Sequence, residues 1–196
     1  MMNAKSIGLI TTFAAIAIAL NAVKIPTIFY PGTFFEFSQI PIVIAFVLFG
    51  SRTGIIVGVL NLGGSLALFP LGNGLIVYPM DFLALLLMFA GIYIASRFVK
   101  HSDESGKISI WRKPVIRLTG LAIAIRGGIM PIVDYVVIYH FLIRLVLGIT
   151  LSEALIVAMV PGFILYNVLM PLYTIPVAYV VAAKVTRYLK IESCFL

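Results

Sequence analysis

The chain has 196 residues, of which 62% are hydrophobic and only 11% are charged. A soluble domain carries about 25% charged residues, so this composition excludes a soluble enzyme or binding domain and predicts a helical membrane protein. The formal net charge of +7 follows from basic cytoplasmic loops in such a protein, and nucleic acid is not an expected partner. The one cysteine, Cys194, excludes a disulfide within the chain, and no metal site is predicted.

Apolar runs long enough to cross a bilayer recur from one end of the chain to the other. They predict a single all-α, integral-membrane domain over residues 1–196, built as a polytopic bundle of six transmembrane helices. The predicted spans are residues 7–23, 38–50, 55–71, 75–98, 114–147 and 153–185. The polar stretches between these spans are too short to form a soluble domain.

The first span has a small-residue surface. Ala15 and Ala19 are four residues apart and therefore lie on one helical face. Small side chains at this spacing allow a second helix to approach closely. The alternative is that alanine simply favours the helix and has no packing role.

The stretch from residue 24 to residue 37 is not predicted to be helical. Pro26, Pro31 and Gly32 interrupt it, and its later part is rich in aromatic residues. An aromatic loop beside a membrane fits an interfacial belt. It also fits a lid that covers a bound ligand, and the sequence leaves both interpretations open.

Three local features are expected where the later spans begin or bend. Ser38 is placed to cap the second span, with Pro41 in the first turn. Residues 51–54 are predicted to form a tight connection between the second and third spans. Pro131 is expected to break the fifth span and to free backbone groups that a neighbour, a water or a ligand must satisfy.

The basic residues predict the orientation. Lys and Arg are concentrated on one side of the predicted membrane. The residues on that side are Lys5, Arg52, Arg97, Lys100, Lys107, Arg112, Lys113, Arg117, Lys184, Arg187 and Lys190. The positive-inside rule therefore predicts a multi-pass protein of the cell membrane with both termini in the cytoplasm.

Arg126 and Asp134 stand inside the fifth predicted span. A charge at bilayer depth costs about 2.5–3.5 kcal/mol on insertion scales, and such a residue normally faces the protein interior or a water-filled cavity. Arg126 and Asp134 are about 12 Å apart along the helix axis, which is too far for an easy direct pair. An intramembrane ionisable residue predicts a functional site.

Several polar and aromatic side chains converge at the outer half of the predicted bundle. They are Glu36, Asp81, Asp134, Tyr135, Tyr139 and Asn167. This set is typical of a pocket for a polar, aromatic small molecule that is open to the outside. The alternative is that these groups satisfy one another and hold helices together.

Four stretches together resemble one family. They are Ala15-x-x-x-Ala19, the run Glu36-Phe37-Ser38-Gln39-Ile40-Pro41, the run Arg126 to Met130 followed by Asp134-Tyr135 and Tyr139, and Pro161-Gly162-Phe163. With six predicted spans in under 200 residues, the chain resembles the substrate-binding S component of an energy-coupling-factor (ECF) vitamin transporter of the riboflavin type. Gln39 stands where such subunits usually have Asp, and Asp134 where they usually have Asn.

The resemblance implies an S-component-like bundle that binds a vitamin, riboflavin in the first place, from the outside. The implied substrate-binding residues are Glu36, Phe37, Gln39, Asp81, Asp134, Tyr135, Tyr139 and Asn167. The resemblance also implies that Ala15 and Ala19 dock on a transmembrane coupling subunit, which works with two ATPase subunits. The sequence has no phosphate-binding loop of its own, so ATP energy must come from those partners. No cofactor is expected beyond the transported vitamin.

Other functions stay open at this stage. The chain could be an S component for another vitamin or micronutrient, or a stand-alone secondary carrier in which Asp134 or Asp81 takes a coupling proton. It could also be a structural membrane subunit without a ligand. An intramembrane enzyme is disfavoured, because the predicted spans hold no Glu/His pair of the kind that such catalysis uses.

Overall fold

The computed structural model of the chain describes residues 4–23, 25–28, 34–69, 74–102 and 113–189. Its elements, in chain order, are α1 (Ala4–Leu20), β1 (Ile25–Pro26), β2 (Phe34–Phe35), α2 (Gln39–Phe49), α3 (Ser51–Leu68), α4 (Gly74–Ser102), α5 (Lys113–Val133), a π-helical segment (Asp134–Leu147) and α6 (Glu153–Leu189). The predicted helical fold is confirmed, with one small antiparallel hairpin in which Ile25 pairs with Phe35 and Pro26 with Phe34.

Among the residues that the structure describes, four helices are long and apolar enough to cross a membrane. They cover residues 51–68, 75–97, 115–138 and 153–188, the third of them running from α5 into the π-helical segment. Between 22% and 44% of each apolar window is buried inside the bundle, so most of its apolar surface faces outward, as it does in a protein surrounded by lipid. The apolar helices α1 and α2 are shorter, and the six-span count stays a prediction.

The short helix α2 forms the centre of the bundle. Every residue from Ile42 to Leu48 is buried, and α2 packs against α1, α3 and α6. A helix that is apolar on all sides belongs in a core. Its 11 residues extend about 17 Å, which is short for a hydrocarbon core of about 30 Å. This central position places the first residue of α2, Gln39, in the interior, where it is 3% exposed.

The connection between α2 and α3 is shorter than predicted. Residues 51–54 already belong to α3, and the turn is made at Gly50, whose φ is 92°. A positive φ is accessible to glycine at no steric cost, because glycine has no Cβ. One residue is therefore enough to reverse the chain, and the predicted four-residue connection is wrong.

Two further local predictions are also wrong. Ser38 occupies the residue before α2, but its hydroxyl makes no capping hydrogen bond. Pro131 does not break the helix, because α5 continues through it to Val133 and the chain then enters the π-helical segment at Asp134. A proline removes one N–H from the hydrogen-bond ladder, and wider π-helical turns occur where that ladder is perturbed, often at functional sites.

Candidate functional site

The guanidinium of Arg126 is the centre of a buried polar network. Arg126 lies on α5 and is 0% exposed. Its Nη1 donates to Oε1 of Gln39, at the start of α2, over 2.8 Å, and its Nε donates to Oδ1 of Asn167, on α6, over 3.2 Å. One side chain thus links three helices, and its charge is held where lipid and water do not reach it.

Asn167 connects the arginine to a carboxylate that the arginine does not touch. Its Nδ2 donates to Oδ2 of Asp134 over 3.1 Å and to the carbonyl oxygen of Phe163 over 3.0 Å. The amide therefore accepts from the cation on one side and donates to the anion on the other. Asp134 and Asn167 are 4% and 2% exposed, so the whole relay lies inside the bundle.

The relay explains how two charges spaced too far apart for direct contact are tolerated in an apolar bundle. The penalty for burying an ion is several kcal/mol, and it is offset only when hydrogen bonds satisfy the ion. Asp134 supplies the opposite charge, and Asn167 supplies the polar contact between the two ions. The sequence predicted that Gln39, Asp134 and Asn167 belong to the site, and the structure brings them together.

Arg126 itself was absent from the predicted ligand-binding set. The signal was present in the sequence, since a basic residue in an apolar span is a functional-site hypothesis by default. Within the described part of the chain, its Nη2 is buried and has no hydrogen-bond partner. An unsatisfied buried donor costs about 1–3 kcal/mol. A free donor on a fixed cation is therefore available to a carbonyl or hydroxyl oxygen of a ligand.

The hairpin between α1 and α2 is held against α6 by two tyrosines. The hydroxyl of Tyr166 donates to the carbonyl oxygen of Phe34 over 3.2 Å, and that of Tyr173 donates to the carbonyl oxygen of Glu36 over 2.8 Å. The rings of Phe35 and Phe37 each lie 6.2 Å from the ring of Tyr173. Both tyrosines escaped the sequence analysis, because nothing in α6 alone indicates which of its residues face the hairpin.

Two predicted carboxyl groups lie on the far side of Gln39 from the relay. Asp81, in the first turns of α4, is within hydrogen-bonding reach of Glu36, which follows β2. Both carboxyl groups are in electrostatic contact with Arg126. Three acidic side chains, counting Asp134, therefore surround one guanidinium within the described residues.

The remaining predicted ligand residues are placed differently. Tyr135 lies at the start of the π-helical segment and donates its hydroxyl to Glu153, with its ring 4.9 Å from that of His140. These contacts lie outside the arginine network, so the structure does not bring Tyr135 together with Asn167. The ring of Phe37 contacts the ring of Tyr173, and this contact connects Phe37 to the hairpin side of the site. The side chain of Tyr139 falls outside those that the structure describes.

The two alanines of the predicted docking face point away from the bundle. Ala15 and Ala19 are exposed, whereas Ala14 and Ala17 on the opposite side of α1 are 4% and 0% exposed. The exposed pair leaves a shallow surface on α1 that no other described helix covers. Alanines that packed within this chain would be buried, so their exposure leaves room for a second helix.

The described residues contain no group of three or more His, Cys, Asp or Glu side chains that could hold a metal ion. What the network offers is a set of fixed donors and acceptors beside aromatic rings. Such a set suits the recognition of a polar, ring-bearing small molecule.

The sequence matches no protein-family model and no curated protein. Its fold, however, is similar to that of a solved S component of a bacterial ECF transporter. The similarity has a TM-score of 0.65 at 22% identity, over 95% of this chain and 98% of that protein. The chain has the S-component fold. Because the similarity extends over nearly the whole of both chains, it covers the helical bundle as a whole and not one part of it.

Proposed function

We propose that the chain is the substrate-specificity subunit of an ECF-type importer and binds a vitamin, with riboflavin as the first ligand to test. The observation that carries this proposal is the buried Arg126–Asn167–Asp134 relay beneath a hairpin that two tyrosines hold. Buried polar groups beside aromatic rings are typical of small-molecule sites. The protein would lie in the cell membrane with both termini in the cytoplasm and would take the ligand from outside.

ATP hydrolysis is proposed to take place in partner subunits and not in this chain. Two ATPase subunits would supply the energy, and one transmembrane coupling subunit would transmit it to this chain, which catalyses no reaction. Ala15 and Ala19 on the exposed face of α1 are the proposed docking residues. Close approach of two helices in lipid depends on small side chains, since lipid provides no hydrophobic drive between helices.

Recognition of a flavin would combine stacking and hydrogen bonds. The aromatic rings of Phe37 and Tyr173 would cover the ring system, and Glu36, Asp134 and Asn167 would face its polar edges and hydroxyl groups. Another vitamin or micronutrient would contact the same protein groups but would have a different molecular shape. The identity of a molecule that co-purifies with the protein, by absorbance and mass spectrometry, distinguishes these ligands.

Replacing Asp134 by alanine is expected to weaken riboflavin binding by about 1–3 kcal/mol, because Nδ2 of Asn167 loses its acceptor and Arg126 loses its counter-charge. Fluorescence quenching of riboflavin by the purified protein measures the affinity. Asp134→Asn is the matched control, since its amide oxygen still accepts from Asn167, and it should retain more of the affinity than alanine. Equal affinity in wild type and a well-folded Asp134→Ala variant would remove Asp134 from the site.

The hairpin is expected to act as a lid. The backbone amides of Ile25, Phe34 and Phe35 in its two strands should gain protection from hydrogen exchange when ligand binds, while the central helix α2 stays protected throughout. Tyr173→Phe keeps the ring but loses the hydrogen bond to Glu36, so it should reduce this gain. Identical exchange with and without riboflavin would show that the hairpin is an interfacial belt. Pro31 and Gly32, which the sequence analysis named in this stretch, lie outside the described residues.

A further inference from the structure

A polar cavity lies between the end of α1, the helices α3 and α4 and the start of α2. Eight of the thirteen residues that line it are polar, which is unusual inside an apolar bundle. The space open to the centre of a water molecule is about 20 Å³, enough for about one or two waters. The cavity therefore has room for a small polar group and not for a ring system.

The polar side chains on one wall of the cavity form hydrogen bonds with one another. Nδ2 of Asn21, just after α1, donates to Oδ1 of Asn61 over 3.0 Å and to Oγ of Ser65 over 2.6 Å. The Ser65 hydroxyl in turn donates to the carbonyl oxygen of Asn61 over 2.7 Å. These bonds tie the end of α1 to α3 and leave this wall with a structural role.

The opposite wall carries buried polar atoms whose hydrogen-bonding capacity is not satisfied by the described residues. Oγ of Ser38, Nε2 of Gln39 and Oδ2 of Asp81 are buried and, among the residues that the structure describes, have no hydrogen-bond partner. Ser38 and Gln39 are 1% and 3% exposed, so water outside the protein does not reach them. Three orphaned atoms on residues that line one cavity indicate a partner from outside the chain, because buried polar groups are otherwise paired.

The bond between Gln39 and Arg126 determines which end of the amide faces the cavity. A guanidinium only donates hydrogen bonds, so Gln39 must present Oε1 to Arg126, and its Nε2 is left on the cavity side. The cavity thus offers an N–H donor from Gln39, a carboxyl oxygen from Asp81 and a hydroxyl from Ser38. A donor and an acceptor on neighbouring positions are complementary to a carbonyl and an N–H on one ligand edge.

We infer that Ser38, Gln39 and Asp81 form a recognition subsite for the –CO–NH– edge of the ligand, as found in an imide, a urea or a carboxamide. This inference rests on the proposed function, since the imide edge of riboflavin is one such group. Nε2 of Gln39 donates to the carbonyl, and Oδ2 of Asp81 accepts from the N–H. Gln39 also joins the subsite to the arginine relay, so one side chain positions both parts of the site.

The test compares riboflavin with 3-methylriboflavin, which lacks the imide N–H. The wild type should bind riboflavin about tenfold or more tightly than the methylated analogue, and Asp81→Ala, which removes the acceptor, should reduce this preference to about threefold or less. Gln39→Glu keeps an acceptor for Arg126 but loses the donor, so it should weaken riboflavin binding about tenfold or more. Thr119→Val, which removes an unpartnered hydroxyl of the described residues outside the cavity, is the control and should leave the affinity unchanged.

An unchanged preference in Asp81→Ala would overturn the subsite while riboflavin binding stands. If the wild type binds no riboflavin, riboflavin is excluded as the ligand and this inference is overturned with it, while a substrate-binding role for another vitamin stands. A measurement without ligand covers the case in which Asp81→Ala does not fold. Ser38→Ala should raise the unfolding temperature of the ligand-free protein, because it removes an orphaned hydroxyl, and a lower temperature would show that the hydroxyl has a structural partner.

Discussion

Replacing Arg126 by methionine is expected to lower the free energy of unfolding by about 3–5 kcal/mol, because its buried hydrogen-bond partners are left unsatisfied. Methionine fills much of the space, but Asp134 loses the positive charge to which Asn167 connects it. Gln39 and Asn167 also lose the donor that satisfies their side-chain oxygens. In a chain of this size each kcal/mol moves the midpoint of thermal unfolding by about 2–4 °C, so detergent melts should show a fall of about 6–20 °C.

Two controls separate this effect from a general loss of packing. Arg97→Met removes an exposed arginine that bonds the Tyr93 hydroxyl on the surface of α4, and it should change the stability by less than about 0.5 kcal/mol. The double variant Arg126→Met/Asp134→Leu removes both ionisable groups and should recover part of the loss, because apolar side chains of similar size replace buried ionisable groups at little cost. If the double variant is less stable than Arg126→Met alone, Asp134 does not depend on Arg126.

Replacing Ala15 by tryptophan is expected to abolish uptake while leaving ligand binding intact. Ala15 is exposed on α1, on the side away from the buried Ala17, so the added ring lies outside the bundle. The arginine relay is built from α2, α5 and α6, and the proposed subsite residues lie on other elements than α1, so ligand binding is not disturbed. The ring would instead separate α1 from the coupling subunit, since helix contacts in lipid depend on small side chains.

Co-purification with the coupling and ATPase subunits and uptake of labelled riboflavin measure the effect of Ala15→Trp. Val180→Trp on α6 is the matched control, because Val180 is 45% exposed and faces outward on another helix. It should assemble and transport like the wild type. Transport by the Ala15→Trp protein would exclude α1 as the docking face, and loss of binding would show that Ala15 packs within this chain.

The helices followed from local properties of the chain. Length and uniform apolarity predicted α3, α4 and α6 to within a few residues, because a membrane segment must satisfy its own backbone hydrogen bonds and forms a helix wherever it is apolar. The charges in the fifth span could be recognised as candidate site residues for a similar reason, since a buried ion is costly wherever it occurs. Local rules failed at Ser38, which precedes α2 and lines a cavity but whose hydroxyl makes no capping hydrogen bond.

Composition and pattern were therefore enough for the membrane class and the helices, and they singled out Asp134 and Asn167, which the structure places in one buried network. The tertiary structure decided which groups meet. Arg126 bonds a glutamine 87 positions away, and Tyr173 holds the hairpin from 137 positions away. Such pairs depend on the order in which helices pack and on the rotation of each helix about its axis, and in a helix that is apolar on every side, such as α2, no periodicity encodes that rotation.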